Sequence, residues 1–182
     1  MNNIKISTTL FLAILIMGCS SSYRIASDME SGIDFSRYNS FQITNHEHGF
    51  ALGANPINKQ RIERAIIKEL TNMGYKEKDN ADLELAWFVK VNSKEQVSVY
   101  RDYYGRWNSS ERVDIYQYKQ GALVIDLIDK KTNEVVWHAS ATDKVDDEMP
   151  DVEKKINEAV RDIFIKYRKD IQFKKMDGIA LK

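Results

Sequence analysis

Apolar residues recur at helical spacing in two segments of the chain, and each segment predicts an amphipathic helix. The first segment opens at Asn55-Pro56 and ends at Gly74. Asn is a good N-cap, Pro is tolerated at the first helical position, and Gly is favoured just after the last one. The second segment covers about residues 150–167. The apolar stripes are Ile62, Ile66, Leu70 and Met73 in the first segment and Ile156, Val160, Ile163 and Tyr167 in the second.

Seven other segments are interpreted as strands, most of them because apolar and polar residues alternate along them. Their bounds are 23–29, 40–44, 82–91, 97–103, 113–118, 122–129 and 134–142. Residues 104–110 predict a long hairpin loop, and residues 130–133 predict a tight turn. Short connections favour antiparallel neighbours, and each helix has one apolar face to cover. We therefore predict an α+β fold: a single mixed, mainly antiparallel sheet of five to seven strands with two helices packed on one face.

The chain begins with a pattern that is typical of an export signal. Lys5 precedes an almost wholly apolar run over residues 10–17. This run is shorter than the roughly 20 residues that a membrane-spanning helix needs, but it has the length of a secretory signal. Cys19, the only cysteine of the chain, lies just after the run and is followed by three serines.

The junction Ile16-Met17-Gly18-Cys19 resembles the lipobox of bacterial lipoprotein signal peptides. In that family a lipid is attached to the cysteine through a thioether, cleavage follows just before it, and its new amino group is acylated. The resemblance implies that Cys19 is the lipidation site, with Ile16, Met17 and Gly18 forming the recognition sequence before the cleavage point. Ser20 follows, and the sorting pattern of these proteins then implies an outer-membrane anchor facing the periplasm. The alternatives are an ordinary secretory signal, whose usual pair of small residues is absent here, and a single-span anchor.

The chain is accordingly divided into a signal peptide over residues 1–18, a lipidated tether over 19–22, an α+β domain over 23–168 and a basic tail over 169–182. The 27 basic and 27 acidic side chains balance. A chain without a strong basic field is not expected to bind nucleic acid. With its one cysteine lipidated, the domain has no disulfide and its hydrophobic core must stabilise it alone.

The predicted hairpin loop is surrounded by aromatic and arginine side chains, which form the candidate interaction surface. Aromatic rings beside arginine can stack on sugars or form the centre of a protein interface. The alternative is that Tyr100 and Tyr103 simply cover the sheet, because strands favour aromatic residues in any case. The residues of this surface are Tyr100, Arg101, Tyr103, Tyr104, Arg106 and Trp107.

Other polar residues give weaker indications of chemistry. His46 and His48 lie close in sequence, but zinc needs at least three protein ligands and nothing ties His138 to them, so we expect no metal. Asp126 and Asp129 are spaced so that a strand would place them on opposite faces, which argues against paired acid–base carboxylates. The sequence has no nucleophile elbow, phosphate-binding glycine loop or zinc-protease helix, and it implies no cofactor.

Several motifs, taken in order, resemble the DUF4136 domain family over about residues 22–168. The resemblance implies the α+β fold and an envelope location, because members of that family are typically bacterial lipoproteins, and it implies no activity. Ala122 stands where the family more often has Thr, and His138-Ala139 where it often has Arg-Gly. The motifs are 34–38, 55–56 with 61–62, 74–75, 81–83, 121–129, 135–137 and 156–164.

These observations predict a lipid-anchored, periplasm-facing lipoprotein that acts as a non-catalytic binding or assembly module of the cell envelope. Its expected partners are the membrane, through Cys19, and an envelope protein. The alternatives are an enzyme that acts on envelope material and a purely structural subunit of a lipoprotein assembly. A polar pocket with convergent carboxylates would favour the enzyme, whereas an apolar patch on the hairpin or on the uncovered sheet face would favour the binding module.

Overall fold

The computed structural model describes residues 23–44, 55–104, 108–145 and 150–180. In chain order its elements are β1 (Arg24–Met29), a short 3-10 helix (Phe35–Arg37), β2 (Ser40–Ile43), α1 (Pro56–Asn72), β3 (Lys76–Glu77), β4 (Leu83–Tyr104), β5 (Asn108–Asp129), β6 (Glu134–Val145) and α2 (Val152–Ala180).

The strands form one six-stranded sheet in the order β1-β6-β5-β4-β2-β3. Strand β2 runs parallel to both β3 and β4, and the remaining neighbours are antiparallel. Apolar side chains of α1 and α2 pack with those of the inner sheet face in one continuous core. The predicted α+β fold, with one mixed sheet and two helices on one face, is therefore confirmed.

The ends of α1 follow from the residues found there. The side-chain oxygen of Asn55 accepts a hydrogen bond from the Asn58 amide at 2.9 Å, which satisfies one of the free N–H groups of the first turn. Gly74 has φ +92°, a left-handed conformation that costs glycine little. The Tyr75 amide then donates to the Leu70 carbonyl at 3.1 Å, so the chain turns sharply towards β3.

The centre of the core combines aliphatic residues of the sheet with aromatic residues of α2. The Trp137 ring lies 4.8 Å from that of Tyr167, and Phe164 packs beside both rings. Full burial of a large apolar side chain stabilises a fold by roughly 1.5–3 kcal/mol. The largest fully buried side chains are Trp137, Tyr167, Phe41, Phe164, Ile66, Leu70, Leu83, Leu85, Ile125, Leu127, Ile163 and Val136.

Four of the predicted strands are in fact two. Strand β4 joins the segments 82–91 and 97–103, and β5 joins 113–118 and 122–129, so that each has 22 residues. The two strands stay in register from Leu83–Asp129 to Tyr104–Asn108, so Tyr104 and residues 108–110 of the predicted loop lie in strands, whereas residues 105–107 lie outside the described residues. The polar residues 92–96 interrupt the apolar pattern without ending the strand, because a ribbon exposed on both faces does not need an apolar side.

Strand β6 contains a bulge that the alternation did not predict. Strict alternation along residues 134–142 would place Val135 and Trp137 on the same face. The register shifts between Leu127 and Ile128, so that Trp137 lies opposite Leu127 and Val135 opposite Ile128. The additional residue Val136 is completely buried, whereas Val135 is 48% exposed. A bulge of this kind places two successive residues against one residue of the neighbouring strand.

Helix α2 continues through most of residues 169–182, which the sequence had set apart as a basic tail. Its extension is held by contacts with the sheet. The Asp170 carboxylate accepts hydrogen bonds from Ser27 Oγ at 2.7 Å and from Trp137 Nε1 at 3.1 Å, and Lys174 donates to the Glu30 carbonyl. These long-range contacts are invisible to a local sequence pattern, which explains why the helix was expected to end near residue 167.

Candidate functional site

The predicted lipidation site lies outside the described residues. Ile16, Met17, Gly18 and Cys19 all precede Tyr23, where the described structure begins. Within the described part of the chain, neither helix is long and apolar enough to cross a membrane.

A β-ribbon projects from the end of the sheet at which the chain enters β1. Strand β2 pairs with β4 only as far as Leu85, and β6 pairs with β5 only from Lys119 onward. Beyond these points, residues 94–104 and 108–118 continue in register with each other; we call this part of β4 and β5 the ribbon. An isolated two-stranded ribbon is only marginally stable in water.

The sequence-predicted interaction surface falls at the distal part of the ribbon. Residues 100–104 of β4 form ladder pairs with residues 108–112 of β5 at the end of the described ladder. The backbone of Tyr100, Arg101 and Tyr103 is in a strand, as predicted, and Tyr104, which was expected in the loop, belongs to the same strand. Arg106 and Trp107 lie outside the described residues.

Apolar side chains are also exposed nearer to the body of the domain. Ile115 is 64% exposed, Tyr116 53% and Val91 42%. The register places Ile115 opposite Val97 and, two pairs further out, Val113 opposite Val99. Large apolar side chains exposed singly are common on protein surfaces, so their position on a projecting ribbon is what makes Ile115 and Tyr116 candidates for a contact. The alternation over residues 113–118 is that of an ordinary sheet strand, so it gave no indication that Ile115 and Tyr116 are exposed on a ribbon.

An apolar cleft of about 180 Å³ lies at the base of the ribbon, between the sheet and the beginnings of both helices. It is lined mainly by aliphatic side chains, among them Ile62, Val89, Leu123 and Ile156. A dry apolar cavity of about 150 Å³ is large enough to bind benzene, so this cleft suits a small apolar group. No local pattern could have predicted it, because its lining residues come from both helices, from strands β4, β5 and β6, and from Tyr23 just before β1.

Tyr23 closes one side of the cleft. Its hydroxyl donates a hydrogen bond to the Lys155 carbonyl at 3.0 Å, which fixes the start of β1 against α2. Burial, followed by the negative charges of Asp143, Glu158 and Asp162, raises the pKa of Tyr23 to about 12. The side chain therefore remains a neutral hydrogen-bond donor throughout the physiological range.

Gly121 stands where the ribbon leaves the body of the sheet, and it also lines the cleft. A Cβ atom at this position would lie only 2.5 Å from Cγ2 of Val145, far inside van der Waals contact. Because Gly121 has no side chain, Val145 at the end of β6 can pack directly against β5. Among the described residues, β5 pairs beyond this point only with β4.

The outer face of the sheet carries an aspartate–histidine pair. Asp126 and His138 lie opposite each other on β5 and β6, and Asp126 Oδ1 is 2.5 Å from His138 Nδ1. The His138 side chain is about half exposed. His46 and His48 lie outside the described residues, and among the residues that are described no group of three His, Cys, Asp or Glu side chains could hold a metal ion.

Asp129 is engaged in a structural network. Its buried carboxylate forms an ion pair with Arg37 and accepts hydrogen bonds from the Tyr38 hydroxyl and the Lys131 amide, both at 2.8 Å. Burial alone would raise the pKa of Asp129, but the Lys131 amide and the Tyr38 hydroxyl hold that pKa below its usual value. Because Asp126 points to the outer face and Asp129 into this network, the two carboxylates do not form an acid–base pair.

Comparisons with known proteins place the domain in a family. The family model described as Domain of unknown function (DUF4136) matches residues 25–167. A comparison with curated proteins gives no match.

Two solved structures are similar to this chain at low sequence identity. A PDZ domain protein from Parabacteroides distasonis is 16% identical with a TM-score of 0.53; the alignment covers 79% of this chain and 35% of that one, so the present chain spans about a third of that protein. PelC from Paraburkholderia phytofirmans, solved as a dodecamer, is 14% identical over 77% of this chain and 94% of its own, with a TM-score of 0.47. The similarity to the first structure supports the fold alone.

Proposed function

Because the chain belongs to the DUF4136 family of domains of unknown function, we propose that it is a lipid-anchored module of the cell envelope that binds another envelope component and catalyses no reaction. Lipid on Cys19 anchors the module, with the domain on the periplasmic side of the outer membrane. The ribbon is its binding element.

The anchor is supported by the sequence around Cys19. The only thiol of the chain follows a short apolar run and a small glycine, and it precedes the folded domain by just four residues. A single acyl chain gives marginal, reversible membrane binding. Lipoproteins of the type that this junction resembles carry three chains, which make dissociation negligible. Ser20 is the residue that favours the outer membrane.

The exposure of Ile115 on the projecting ribbon is the observation that carries the binding role. The Ile115 side chain is 64% exposed, so a partner that covers it removes apolar surface from water, which favours binding. The ribbon also offers two strand edges to a partner, and strand addition to such an edge is a common mode of peptide and protein recognition.

The described side chains give more support to binding than to catalysis. The cleft at the base of the ribbon is lined mostly by apolar groups, and the carboxylates of Asp126 and Asp129 point to opposite sides of the sheet. Neither arrangement resembles a polar pocket with convergent acids, which is the feature that would favour an enzyme.

Two measurements test the proposal. The intact mass of the protein purified from membranes should show loss of residues 1–18 and addition of lipid at Cys19; an unmodified residue 19 would refute the anchor. For the binding role, cells that produce tagged wild-type, Ile115→Ser or Val135→Ser protein are cross-linked before detergent extraction, and the captured proteins are compared.

Val135 is the matched control, because it is a β-branched residue that is 48% exposed on β6, away from the ribbon. We expect a specific envelope protein to be captured by the wild type and by Val135→Ser and to be reduced at least fivefold in Ile115→Ser. Equal capture by all three proteins would exclude this part of the ribbon as the binding element.

A further inference from the structure

The tether and the apolar cleft meet at Tyr23. This residue lines the cleft, and the hydrogen bond from its hydroxyl to the Lys155 carbonyl, 3.0 Å long, holds it against α2. Cys19 precedes Tyr23 by four residues, which allows a span of at most about 14 Å between their Cα atoms. A group attached to Cys19 is therefore kept close to the cleft, and a short tether gives it a high effective concentration there.

The lining of the cleft suits a hydrocarbon chain. Ten of the sixteen described residues that line it are alanine, valine, leucine or isoleucine. Two of the polar ones have partners of their own: the Asp143 carboxylate accepts a hydrogen bond from the Lys144 amide at 2.8 Å, and the Lys144 ammonium lies 4.6 Å from the centroid of the Tyr118 ring. A ligand with polar groups along its length would lose hydrogen bonds to water in such a cleft, whereas an alkyl chain has none to lose.

The volume of the cleft limits how much of a chain it can hold. A cavity of about 150 Å³ binds benzene, a molecule of six carbons, so a cleft of about 180 Å³ has room for about six or seven carbons. A fatty acyl chain is longer than this, and a bilayer buries its whole length. The cleft can therefore compete for the chain only away from a bilayer, where every CH₂ group that it covers is removed from water.

We propose that the cleft takes the end of one acyl chain of lipidated Cys19 while the protein is outside the bilayer. The inference rests on the lipidation of Cys19 proposed above, and it gives the cleft an occupant from the same chain. Docking removes part of one acyl chain from water and so stabilises the form of the lipoprotein that is away from a membrane. On return to a bilayer the chain leaves the cleft, because the bilayer buries all of it, and the anchor is unchanged.

The test uses the mature chain, residues 19–182, prepared with a free thiol at Cys19 and coupled to either N-hexylmaleimide or N-methylmaleimide. Cys19 is the only thiol, so the two products differ only in the length of the alkyl group. If the docked form outnumbers the undocked form about tenfold, the hexyl group raises the free energy of unfolding by about 1.4 kcal/mol and the urea midpoint by about 0.7 M. Thr132→Cys in a Cys19→Ser chain is the matched control, because Thr132 is exposed in the turn at the opposite end of the sheet.

We expect the hexyl group to raise the urea midpoint at position 19 and to leave it unchanged at position 132. Ala141→Leu, which fills the cleft from β6, should abolish the rise at position 19. Each variant is compared with its own methyl product, so the cost of enlarging a buried side chain cancels. An equal rise at position 132, or a rise that persists in Ala141→Leu, would overturn the inference.

A second measurement needs no change in the cleft. In methyl NMR spectra of the wild-type chain, the hexyl group on Cys19 should shift the resonances of Ile156, which lines the cleft, and leave those of Ile115 on the ribbon unchanged. Unshifted Ile156 resonances would overturn the inference. So would a stability gain that increases with protein concentration, because the chain would then occupy the cleft of a second copy.

These outcomes leave the anchor itself untouched. The intact mass of the protein purified from membranes decides the anchor separately. A mass without lipid on Cys19 would refute the anchor and the inference together, because the cleft would then have no acyl chain to take.

Discussion

Substitution of Asp129 by Asn should destabilise the domain far more than the same substitution at Asp126. Asp129 is 1% exposed, and its contacts connect the turn after β5 to the 3-10 helix that precedes β2. Its oxygens accept from Arg37, from the Tyr38 hydroxyl and from the Lys131 amide. Asparagine has nearly the same size, but it turns an NH₂ group towards some of these donors.

The expected loss of unfolding free energy follows from the hydrogen bonds that Asp129→Asn removes. A hydrogen bond to a charged group contributes about 1.5–3 kcal/mol, and a buried donor left without a partner costs about 1–3 kcal/mol. The ion pair itself adds little, because the Arg37 side chain is 49% exposed and water screens it. We therefore expect Asp129→Asn to lower the free energy of unfolding by about 3 kcal/mol, out of a typical total of 5–15 kcal/mol.

Urea denaturation followed by tryptophan fluorescence measures this difference. With a slope of about 2 kcal/mol per molar urea, the midpoint should fall by about 1.5 M. Asp126→Asn is the matched control: its partner His138 is about half exposed, so we expect a loss below about 1 kcal/mol. Equal midpoint shifts for the two variants would refute the assignment of Asp129 as a buried structural acceptor.

Three further predictions concern packing and charge elsewhere in the fold. Gly121→Ala should cost about 1–3 kcal/mol by overpacking against Val145, and Val145→Ala in the same chain should restore part of the loss; thermal denaturation of the two variants measures it. Tyr167→Phe removes the 2.9 Å hydrogen-bond partner of the Tyr75 hydroxyl and should lower the free energy of unfolding by about 1 kcal/mol; a urea midpoint unchanged from wild type would contradict this. Burial opposes ionisation of Asp170, but hydrogen bonds, first among them that of a nearby lysine, hold its pKa below the usual value. Its stabilisation is therefore complete above an unfolded-state pKa of about 3.9 and is lost as the pH falls through the lower folded-state value; Asp170→Asn should flatten the acid end of the stability profile, and an unchanged profile would exclude this role.

The sequence pattern correctly predicted the features that depend on residues close together in the chain. The caps Asn55 and Gly74 and the apolar stripes correctly predicted the position of α1, because capping and burial act within a few residues. The extension of α2 past residue 168 depends on Asp170 meeting Ser27, which is 143 residues away. A polar residue near the end of a helix looks like surface until its distant partner is known.

The strand bounds failed for a related reason. Alternation detects a strand with one buried face, but residues 92–96 belong to a part of β4 that faces solvent on both sides. The strand continues there because its ladder with β5 continues, and the ladder is not a local property. The bulge at Val136 was equally hidden, since a single added residue shifts the pattern without changing its composition.

The features of the candidate site differ in the same way, some depending on a short stretch of sequence and others on residues far apart in the chain. The lipidation of Cys19 stays a prediction that depends on a short contiguous motif, and so does the role of the aromatic residues around Trp107. The apolar cleft is the opposite case, because residues as distant as Tyr23 and Ala159 line it and only the folded chain brings them together.

The two ends of the sheet differ in burial and in hydrogen bonding between their elements. At the end remote from the tether, polar contacts tie successive elements together: Lys130 donates its amide to the Asp82 carbonyl at 3.0 Å, and the Asp82 carboxylate accepts from Asn39 and Ser40. At the tether end lie the cleft and the ribbon, where burial is lower and the ladder falls to two strands. Local stability increases with burial and hydrogen bonding, so we expect the remote end to be the more stable part of the domain. We therefore expect substitutions of exposed ribbon residues to leave the domain folded.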